Sequence, residues 1–276
     1  MRGDPRTHIP KSKGPRIGRY TVKVSVAPLR RAKSFTSGLD SQLLFGQYLD
    51  VYEQGSKWAW GRTVTPVKGS TQKGYVGYVP LSCLSEGALT PNYRVRALRA
   101  PLFSRPNIKS PIKIFLYLGA HLKLKKSGVS FFELPSGDYI HAKHVEMLKA
   151  SLRSLDYVEI AERHLGLPYV WGGISSEGLD CSGLVQSSLR AVGLDGPRDT
   201  DMQEAELGGY LPLRQSGLKR GDLIFWKGHV GIMTSGKMMI HANAHHMSVE
   251  TEPLKEAINR IKANGGGPVS AMKRFY

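Results

Sequence analysis

The chain has 276 residues, 41% of them hydrophobic and 22% charged, which is enough for two or three globular domains. No apolar run approaches the roughly 18–20 residues of a membrane-spanning helix, and two cysteines are too few for a disulfide-stabilised fold. The net charge is +17, and residues 1–150 hold 25 Lys and Arg against 8 Asp and Glu, whereas residues 151–276 hold 14 of each. This shift predicts a domain border near residue 150.

The N-terminal segment is basic, rich in Pro and Gly, and lacks the apolar core of a secretory signal. We therefore expect residues 1–19 to form a flexible arm and the protein to be cytoplasmic, with unconventional export left open. The basic half could attract an anionic polymer, but a solvated surface is the simpler explanation. We expect no nucleic-acid partner and no membrane span, and the sequence carries no indication of oligomeric state.

Short strands follow the arm. The runs LLFGQYLDVYEQ and KWAWGRTVT are rich in β-forming residues and are separated by a QGS turn. Further along, LPSGDYIHAKHV parallels the earlier KGYVGYVPLSCL. These rhythms predict two tandem barrels of about five strands each, at residues 20–88 and 89–149. Cys83 would then be an ordinary apolar residue in the closing segment of the first barrel.

After residue 150 the pattern changes to helical spacing. SLDYVEIAERHLG places apolar residues three and four positions apart and stops at Gly166, and SGLVQSSLRAVG repeats this scheme up to Gly193. Strand-like runs follow, namely GDLIFWK, HVGIMTS, KMMIHAN and SVETEPL. Helices followed by strands with hairpin-length turns predict an α+β domain with an antiparallel sheet over residues 150–276.

Cys181 lies in GLDCSGLVQ, one or two residues before the predicted start of the second helix. The first N–H groups of a helix lack internal partners and carry the positive end of its dipole, so a thiolate there would be stabilised and its pKa lowered. The flanking Asp180 and Ser182 could each cap the helix or bind substrate. The alternative is a buried, inert thiol, and position alone does not decide between the two.

Two histidines are placed to serve a thiol nucleophile. His229 opens a strand after a Lys-Gly turn, and His241 ends the next strand, 12 residues later. A tight hairpin brings them together, so one ring can accept the thiol proton while the other orients it. Each histidine alone would more simply be structural, and it is their conjunction with the cysteine that favours catalysis. The adjacent His245 and His246 point to opposite faces of an extended segment, so we expect no metal there. We expect no cofactor.

These segments resemble the NlpC/P60 family of cell-wall peptidases, a branch of the papain-like cysteine peptidases. The resemblance rests on YVWGGISSEGLDCSGLVQ, PRDTDMQ, LKRGDLIFWKGHVGIM and MIHANAHHMSVETEPL, in order and with the family's spacing over roughly residues 155–255. The barrels resemble bacterial SH3 domains through LLFGQ, KWAWGR and KGYVGYV. The implied fold is two small all-β SH3-like barrels followed by an α+β papain-like domain.

The resemblance implies a Cys-His-His triad in which Cys181 is the nucleophile, His229 the general base and His241 the residue that orients it. It also implies hydrolysis of the bond between γ-D-glutamate and a diamino acid in peptidoglycan stem peptides, through a thioester. Peptides with a free N-terminal L-alanine are the implied substrates.

The resemblance also implies residues that bind substrate. Gly172 and Gly173 would let the backbone approach the ligand closely. Arg198, in PRDTDMQ, could pair with a substrate carboxylate or, equally, anchor its loop through Asp199 or Asp222. The implied substrate-binding residues are Asp180, Ser182, Tyr169, Arg198 and Tyr75.

The chain departs from the family at Gln47, where the related enzymes are expected to carry a glutamate. That acid helps to hold the substrate amine against a tyrosine, here Tyr75 or Tyr78. Because Gln47 is neutral, either Glu53 takes over the role, or affinity for a free N-terminus is lower, or the alignment is shifted.

Two other functions fit these residues. The barrels could grip the cell wall beside a hydrolase domain that no longer functions, although the cysteine and both histidines are intact. Alternatively, the papain-like domain could act as an amidase, transpeptidase or acyltransferase, because a fold does not determine a reaction. Fast labelling of Cys181 by iodoacetamide at about pH 6 is expected of the peptidase, and slow labelling of a binding module.

Overall fold

The protein is described by a computed structural model, which covers residues 4–64, 73–148 and 156–275. Its internal contacts divide the chain into two compact units, Met1–Ser151 and Leu152–Tyr276. Within the described ranges, none of the helices combines the length and apolar character needed to cross a bilayer.

The N-terminal unit begins with an all-β domain of seven short strands in one antiparallel sheet, in the order β3-β2-β6-β5-β4-β1-β7. Seven strands form where about five were expected, in part because LLFGQYLDVYEQ is divided by a turn at Gly46. In β2 the buried Ala27 and Leu29 alternate with less buried neighbours, so one face of the strand lies on the core. The strands are β1 (Gly18–Val22), β2 (Val26–Arg30), β3 (Leu39–Leu44), β4 (Tyr48–Gln54), β5 (Trp58–Val64), β6 (Val76–Pro80) and β7 (Leu84–Glu86).

A second all-β domain completes this unit. Five of its strands form a sheet in the order β10-β9-β14-β13-β12, and three form a sheet in the order β11-β8-β15. Leu102, Leu116 and Ile140 are buried in its core. The strands are β8 (Tyr93–Val95), β9 (Arg99–Phe103), β10 (Ile112–Tyr117), β11 (His121–Leu122), β12 (Lys125–Ser127), β13 (Phe131–Glu133), β14 (Tyr139–His141) and β15 (Val145–Met147).

The turn between β3 and β4 contacts the second all-β domain. Gly46 has a φ of 76°, and a Cβ at this position would overlap the carbonyl of His121. The His121 N–H donates to the Phe45 carbonyl at 2.9 Å. Gln47 accepts a hydrogen bond from the Leu44 N–H at 3.0 Å, so its amide stabilises this turn.

Residues 4–17, predicted to belong to a flexible arm, contact the first all-β domain. The Arg6 carbonyl accepts a hydrogen bond from the Val76 N–H at 2.9 Å. Lys13 is the last residue of a short 3₁₀ helix, Lys11–Lys13. Its ammonium group pairs with Glu53 and lies 4.8 Å from the ring centroid of Trp60. Hydrophobic periodicity could not reveal this packing, because ion-pair and cation–π contacts between distant residues hold the segment.

The C-terminal unit is an α+β domain built on a six-stranded antiparallel sheet, in the order β18-β23-β19-β20-β21-β22. The expected fold class, all-β followed by α+β, is therefore confirmed. The elements are α1 (Tyr157–Glu162), β16 (Ile174–Ser175), β17 (Gly178–Leu179), α2 (Cys181–Ala191), α3 (Thr200–Glu206), β18 (Gly209–Tyr210), β19 (Leu223–Trp226), β20 (His229–Met233), β21 (Met238–Asn243), β22 (Ser248–Pro253), α4 (Leu254–Ala263) and β23 (Ala271–Arg274).

Helices cover this sheet and build its core. The helix α2 packs on β20 and β21 and against α1. Leu254 and Ala257 of α4 pack with Trp226, Met233 and Met239 of the sheet. Because side chains alternate along a strand, the odd-numbered residues of β20 and β21 share the face that α4 covers.

Candidate active site

Cys181 is the first residue of α2, rather than one or two residues before the helix. Asp180 is the helix cap, because its Oδ1 accepts a hydrogen bond from the Gly183 N–H at 2.7 Å. The Cys181 side chain is buried, and its sulfur lies 3.8 Å from Oγ1 of Thr200 and 4.0 Å from the carbonyl oxygen of Gly228. The helix start therefore carries the thiol into an enclosed, partly polar site.

The thiol pKa moves in the direction opposite to the expected one. Burial and the neighbouring Asp180 carboxylate raise the pKa of Cys181 to about 11. They outweigh hydrogen bonds from the Thr200 hydroxyl and from the N–H groups of Val230 and Ser182. The prediction of a lowered pKa is wrong for this structure, because the favourable helix terminus acts in a place that excludes water. A protonated thiol needs a base before it can act as a nucleophile.

His229 and His241 contact each other across β20 and β21, as their hairpin spacing predicted. Nε2 of His229 lies 2.8 Å from Nδ1 of His241. Ile232 pairs with Ile240, so the two histidines are diagonal neighbours on one face of the sheet. The Gly228 carbonyl and the Val230 N–H, which contact the Cys181 sulfur, flank His229 directly. The main chain of the predicted base therefore lies beside the predicted nucleophile.

Both imidazoles are neutral near pH 7. Burial, together with His241 and Arg260, lowers the pKa of His229 to about 3, although Glu252 acts in the opposite direction. Burial also lowers the pKa of His241, against the hydrogen bond to Glu252. A neutral imidazole can act as a base, and the observed contacts of the Cys181 sulfur are with Thr200 and with the main chain on both sides of His229.

Glu252, in β22, is a site residue that the sequence did not reveal. Its Oε1 lies 2.7 Å from Nε2 of His241, and Arg260 of α4 contacts the same oxygen. Burial alone would raise the pKa of Glu252, but the hydrogen bonds and charges of His241 and Arg260 lower it to about 2, so the carboxylate is ionised. The run SVETEPL predicts a strand, yet its alternation places Glu250 and Glu252 on the same face and cannot select between them.

Three of the predicted substrate-binding residues form a buried network at the start of α2. Nη2 of Arg198 lies 2.6 Å from Oδ2 of Asp180, and Nη1 lies 2.9 Å from Oδ1 of Asp180 and 2.9 Å from Oγ of Ser182. Asp222 pairs with Arg274, so Arg198 anchors its loop through the cap of the nucleophile helix and not through Asp222. Contacts of Asp180, Ser182 and Arg198 with substrate stay predictions.

Residues of the PRDTDMQ and WGG segments also pack against the start of α2 and hydrogen-bond to it. Nε2 of Gln203 donates to the carbonyls of Ser182 and Pro197, each at 2.9 Å. A Cβ on Gly183 would overlap the Gly173 carbonyl, and Gly172 donates its N–H to Oδ2 of Asp180 at 2.9 Å. Close contacts within the chain thus require glycine at 183, and the φ of 77° at Gly172 favours glycine there, whatever the role of these residues towards a ligand.

The two predicted tyrosines lie in different units. Burial, together with the negative charge of an ionised Cys181 and of Asp180, raises the pKa of Tyr169 to about 12, so its phenol stays protonated and can donate a hydrogen bond. Tyr75 is buried in the first all-β domain of the N-terminal unit. Substrate binding by either tyrosine stays a prediction.

Among the described residues, one group has the donor atoms of a potential metal site. Ligand atoms of His241, His246 and Glu252 lie within 4.8 Å of one another. His241 and Glu252 already bond to each other, and the guanidinium of Arg260 contacts Glu252. A second cation would be repelled there, so we assign this group no metal.

Known protein families match both parts of the chain. The NlpC/P60 family matches residues 166–263, and the bacterial dipeptidyl-peptidase Sh3 domain matches residues 29–84. A gamma-D-glutamyl-L-lysine dipeptidyl-peptidase of Bacillus subtilis (strain 168) is 30% identical over 235 residues, which cover 80% of this chain and 77% of that relative. Dipeptidyl-peptidase 6 of Lysinibacillus sphaericus is 24% identical over 242 residues, which cover 79% of this chain and 85% of that relative.

A solved structure shares the fold of almost the whole chain. The crystal structure of an NlpC/P60 family protein from Bacillus cereus ATCC 10987 has a TM-score of 0.74 at 21% identity, and the match covers 94% of this chain and 99% of that one. The segment that matches the family contains the start of α2 and the three strands that carry His229, His241 and Glu252. Together with the Bacillus subtilis relative, which aligns along most of both chains, these findings show that the chain belongs to the NlpC/P60 family of cysteine peptidases and carries a bacterial SH3 domain ahead of its peptidase domain.

Proposed function

We propose that the protein hydrolyses the bond between γ-D-glutamate and a diamino acid in peptides derived from peptidoglycan. The observation that carries the proposal is the thiol of Cys181, at the start of α2, beside a strand whose His229 is bonded to His241 at 2.8 Å. The substrate class follows from relatives in Bacillus subtilis and Bacillus cereus that are named gamma-D-glutamyl-L-lysine dipeptidyl-peptidases.

The reaction begins with a general-base step, because both the thiol and the imidazoles are uncharged at neutral pH. As His229 accepts the thiol proton, the sulfur of Cys181 attacks the γ-carbonyl carbon of D-glutamate. The N–H of Cys181 and the phenol of Tyr169 hydrogen-bond to the oxyanion of the tetrahedral intermediate. His241 holds the ring of His229 in place through the bond between Nδ1 and Nε2.

The second half of the reaction restores the enzyme. His229 gives its proton to the amine of the diamino acid as the carbon–nitrogen bond breaks, which leaves a thioester on Cys181. A water molecule then loses a proton to His229 and adds to the thioester carbonyl. The carbon–sulfur bond breaks, the thiol regains its proton, and the γ-carboxylate of glutamate is released.

Recognition of a free N-terminal L-alanine is the more specific part of the proposal. Asp180 and Ser182 flank the nucleophile, which suits them to the N-terminal end of a short substrate. In the N-terminal unit, the carboxylate of Glu53 already holds the ammonium group of Lys13, whose Nζ lies 3.4 Å from the Tyr78 hydroxyl. Glu53 already pairs with Lys13 and Lys33 and the Gln47 side chain is used in a turn, so an acid of this unit that binds the substrate amine stays a prediction.

The test is hydrolysis of L-Ala-γ-D-Glu-diaminopimelate and L-Ala-γ-D-Glu-L-Lys, followed by mass spectrometry. Release of L-Ala-D-Glu by the wild type and its loss in Cys181→Ala, at an unchanged melting temperature, are the expected results. An N-acetylated peptide should be cleaved more slowly. Intact peptides together with hydrolysis of an acyl-lipid would show a different papain-like reaction and overturn the proposal.

A further inference from the structure

Three side chains form a line of hydrogen bonds across the adjacent strands β20, β21 and β22. Nε2 of His229 is 2.8 Å from Nδ1 of His241, and Nε2 of His241 is 2.7 Å from Oε1 of Glu252. In the sheet register Ile232 pairs with Ile240 and Met239 pairs with Glu252, so each step is a diagonal on one face of the sheet.

The order of donors and acceptors in this line follows from its last member. An ionised carboxylate only accepts hydrogen bonds, so Nε2 of His241 must carry a proton. A neutral His241 then has its lone pair on Nδ1 and accepts a hydrogen bond from Nε2 of His229. The proton of a neutral His229 is thereby held on Nε2, and Nδ1 is left as the basic nitrogen of that ring.

We propose that Glu252 is a positioning residue that sets the tautomers of His241 and His229, so that Nδ1 of His229 is the nitrogen that accepts the thiol proton. The proposal rests on the proposed function only where it gives His229 the role of base. Glu252 acts through His241 and does not contact the reacting atoms.

Four charged or titratable groups of the described residues lie around the ring of His241. These groups are His229 from β20, Glu252 from β22, Arg260 from α4, and His246 from the turn that follows β21. Arg260 contacts the same carboxylate oxygen as His241, which holds Glu252 in one orientation and keeps it ionised. Loss of the carboxylate charge would leave the positive Arg260 beside both rings and make His229 a weaker base.

Glu250 provides a matched control on the same strand. In the sheet register Glu250 pairs directly with His241, whereas Glu252 pairs with Met239 and is diagonal to His241. Oε1 of Glu250, however, accepts a hydrogen bond from the Ser248 hydroxyl at 3.0 Å, and it is Glu252 that bonds to the ring. Glu250→Gln therefore removes the same charge from the same face without touching the line of hydrogen bonds.

The decisive experiment is nitrogen-15 NMR of the histidine rings in the full-length protein without substrate. In the wild type and in Glu250→Gln, His229 and His241 should both carry their proton on Nε2. In Glu252→Gln, whose amide can donate or accept, part of His241 should move its proton to Nδ1. A wild-type His241 that is protonated on Nδ1 alone, or a Glu252→Gln spectrum identical to that of the wild type, would overturn the proposal.

Kinetics of the same variants separate positioning from a merely structural role. For Glu252→Gln we expect kcat to fall about 10- to 100-fold with KM changed by less than about twofold, and Glu250→Gln should stay within about twofold of the wild type. A loss of activity that follows only a fall in melting temperature, with the tautomers kept, would contradict the proposal. If the γ-D-glutamyl peptides prove not to be substrates, the NMR result stands, so the two proposals fail separately.

Discussion

The thiol of Cys181 and the imidazole of His229 are both uncharged near pH 7, and burial is the largest cause in each case. Burial disfavours the thiolate and the imidazolium alike, which raises the pKa of the thiol to about 11 and lowers that of the imidazole to about 3. In the proposed mechanism, the positive end of α2 therefore stabilises the thiolate and oxyanion that form during attack more than the resting thiol. The same mechanism requires transfer of the thiol proton to His229 to accompany attack on the substrate.

The pH dependence of thiol alkylation tests this state. In the wild type, the rate of iodoacetamide labelling at Cys181 should rise about tenfold per pH unit from about pH 7 to 9, because the thiolate fraction grows tenfold per unit below a pKa of about 11. Mass spectrometry separates Cys181 from Cys83, and Cys181→Ala gives the background. A rate that is already high and flat from about pH 6 would show a thiolate–imidazolium pair and contradict the structure. Slow labelling at about pH 6 is thus no sign of a non-functional hydrolase domain.

The proposed roles of the two histidines predict unequal losses of activity. His229→Ala removes the base and should lower kcat about 10²- to 10⁴-fold, whereas His241→Ala removes only the group that orients it and should cost about tenfold less. Steady-state rates on the γ-D-glutamyl peptide, with melting temperatures as the check on folding, measure both. A larger loss in His241→Ala would mean that the two roles are exchanged.

At the scale of elements, the start of α2 is held by far more than its cap. Arg198 and Gln203 tie the segment around α3 to Asp180 and to the Ser182 carbonyl, and Thr200 of α3 contacts the sulfur. Arg198 and Asp180 are both buried, so their ion pair is shielded from solvent. These contacts tie Asp180, Cys181 and Ser182 to α3 and the segment before it.

Arg198→Met tests the ion pair between Arg198 and Asp180, because this substitution roughly keeps the length of the side chain and removes its charge. It leaves the carboxylate of Asp180 buried without its guanidinium, which should lower the free energy of unfolding by about 3–5 kcal/mol. Urea unfolding measures this loss. Arg214→Met, at an exposed position in the same unit, should change the value by less than about 0.5 kcal/mol. A change below about 1 kcal/mol for Arg198→Met would show that the ion pair contributes little.

Two helices and most of the longer strands could be predicted from local spacing, while α3, α4 and the contacts at the ends of the elements could not. Helical periodicity anticipated α2, and the 12 residues between His229 and His241 anticipated a contact across the hairpin. Glu252 and Glu250 lie two positions apart with the same alternation, and their tertiary partners distinguish them, since Arg260 of α4 contacts Glu252 whereas Ser248 bonds to Glu250. The packing of residues 4–17 was missed for a similar reason, since its anchors are a lysine and a glutamate 40 residues apart.

Across the whole molecule, charge separates the two halves of the chain. Seven of the eight acidic side chains in residues 1–150 form ion pairs: Asp4, Asp40, Asp50, Glu53, Glu133, Asp138 and Glu146. The 25 Lys and Arg of residues 1–150 exceed the 8 Asp and Glu by 17. Such an excess attracts polyanions of any sequence.

We therefore expect weak, non-specific binding of the full chain to polyanions. Fluorescence anisotropy with polyphosphate and with double-stranded DNA should show affinities that fall about 10³-fold or more between about 50 and 200 mM salt, without preference among DNA sequences. A DNA complex that is specific for one sequence and insensitive to salt would contradict a purely electrostatic attraction. Bovine serum albumin, an acidic protein, serves as the negative control.

The amino-acid sequence by itself determined the order of the domains, the helix that begins at the candidate nucleophile, and the hairpin that joins the two histidines. Periodicity, turn residues and spacing along neighbouring strands are local properties, and they do not depend on what covers them. Only the tertiary structure decided that the thiol is protonated, that Arg198 is bound to Asp180, and that Glu252 completes the line of histidines. Burial and contacts between residues far apart in the chain produce these outcomes, and both arise only when helices and sheet pack together.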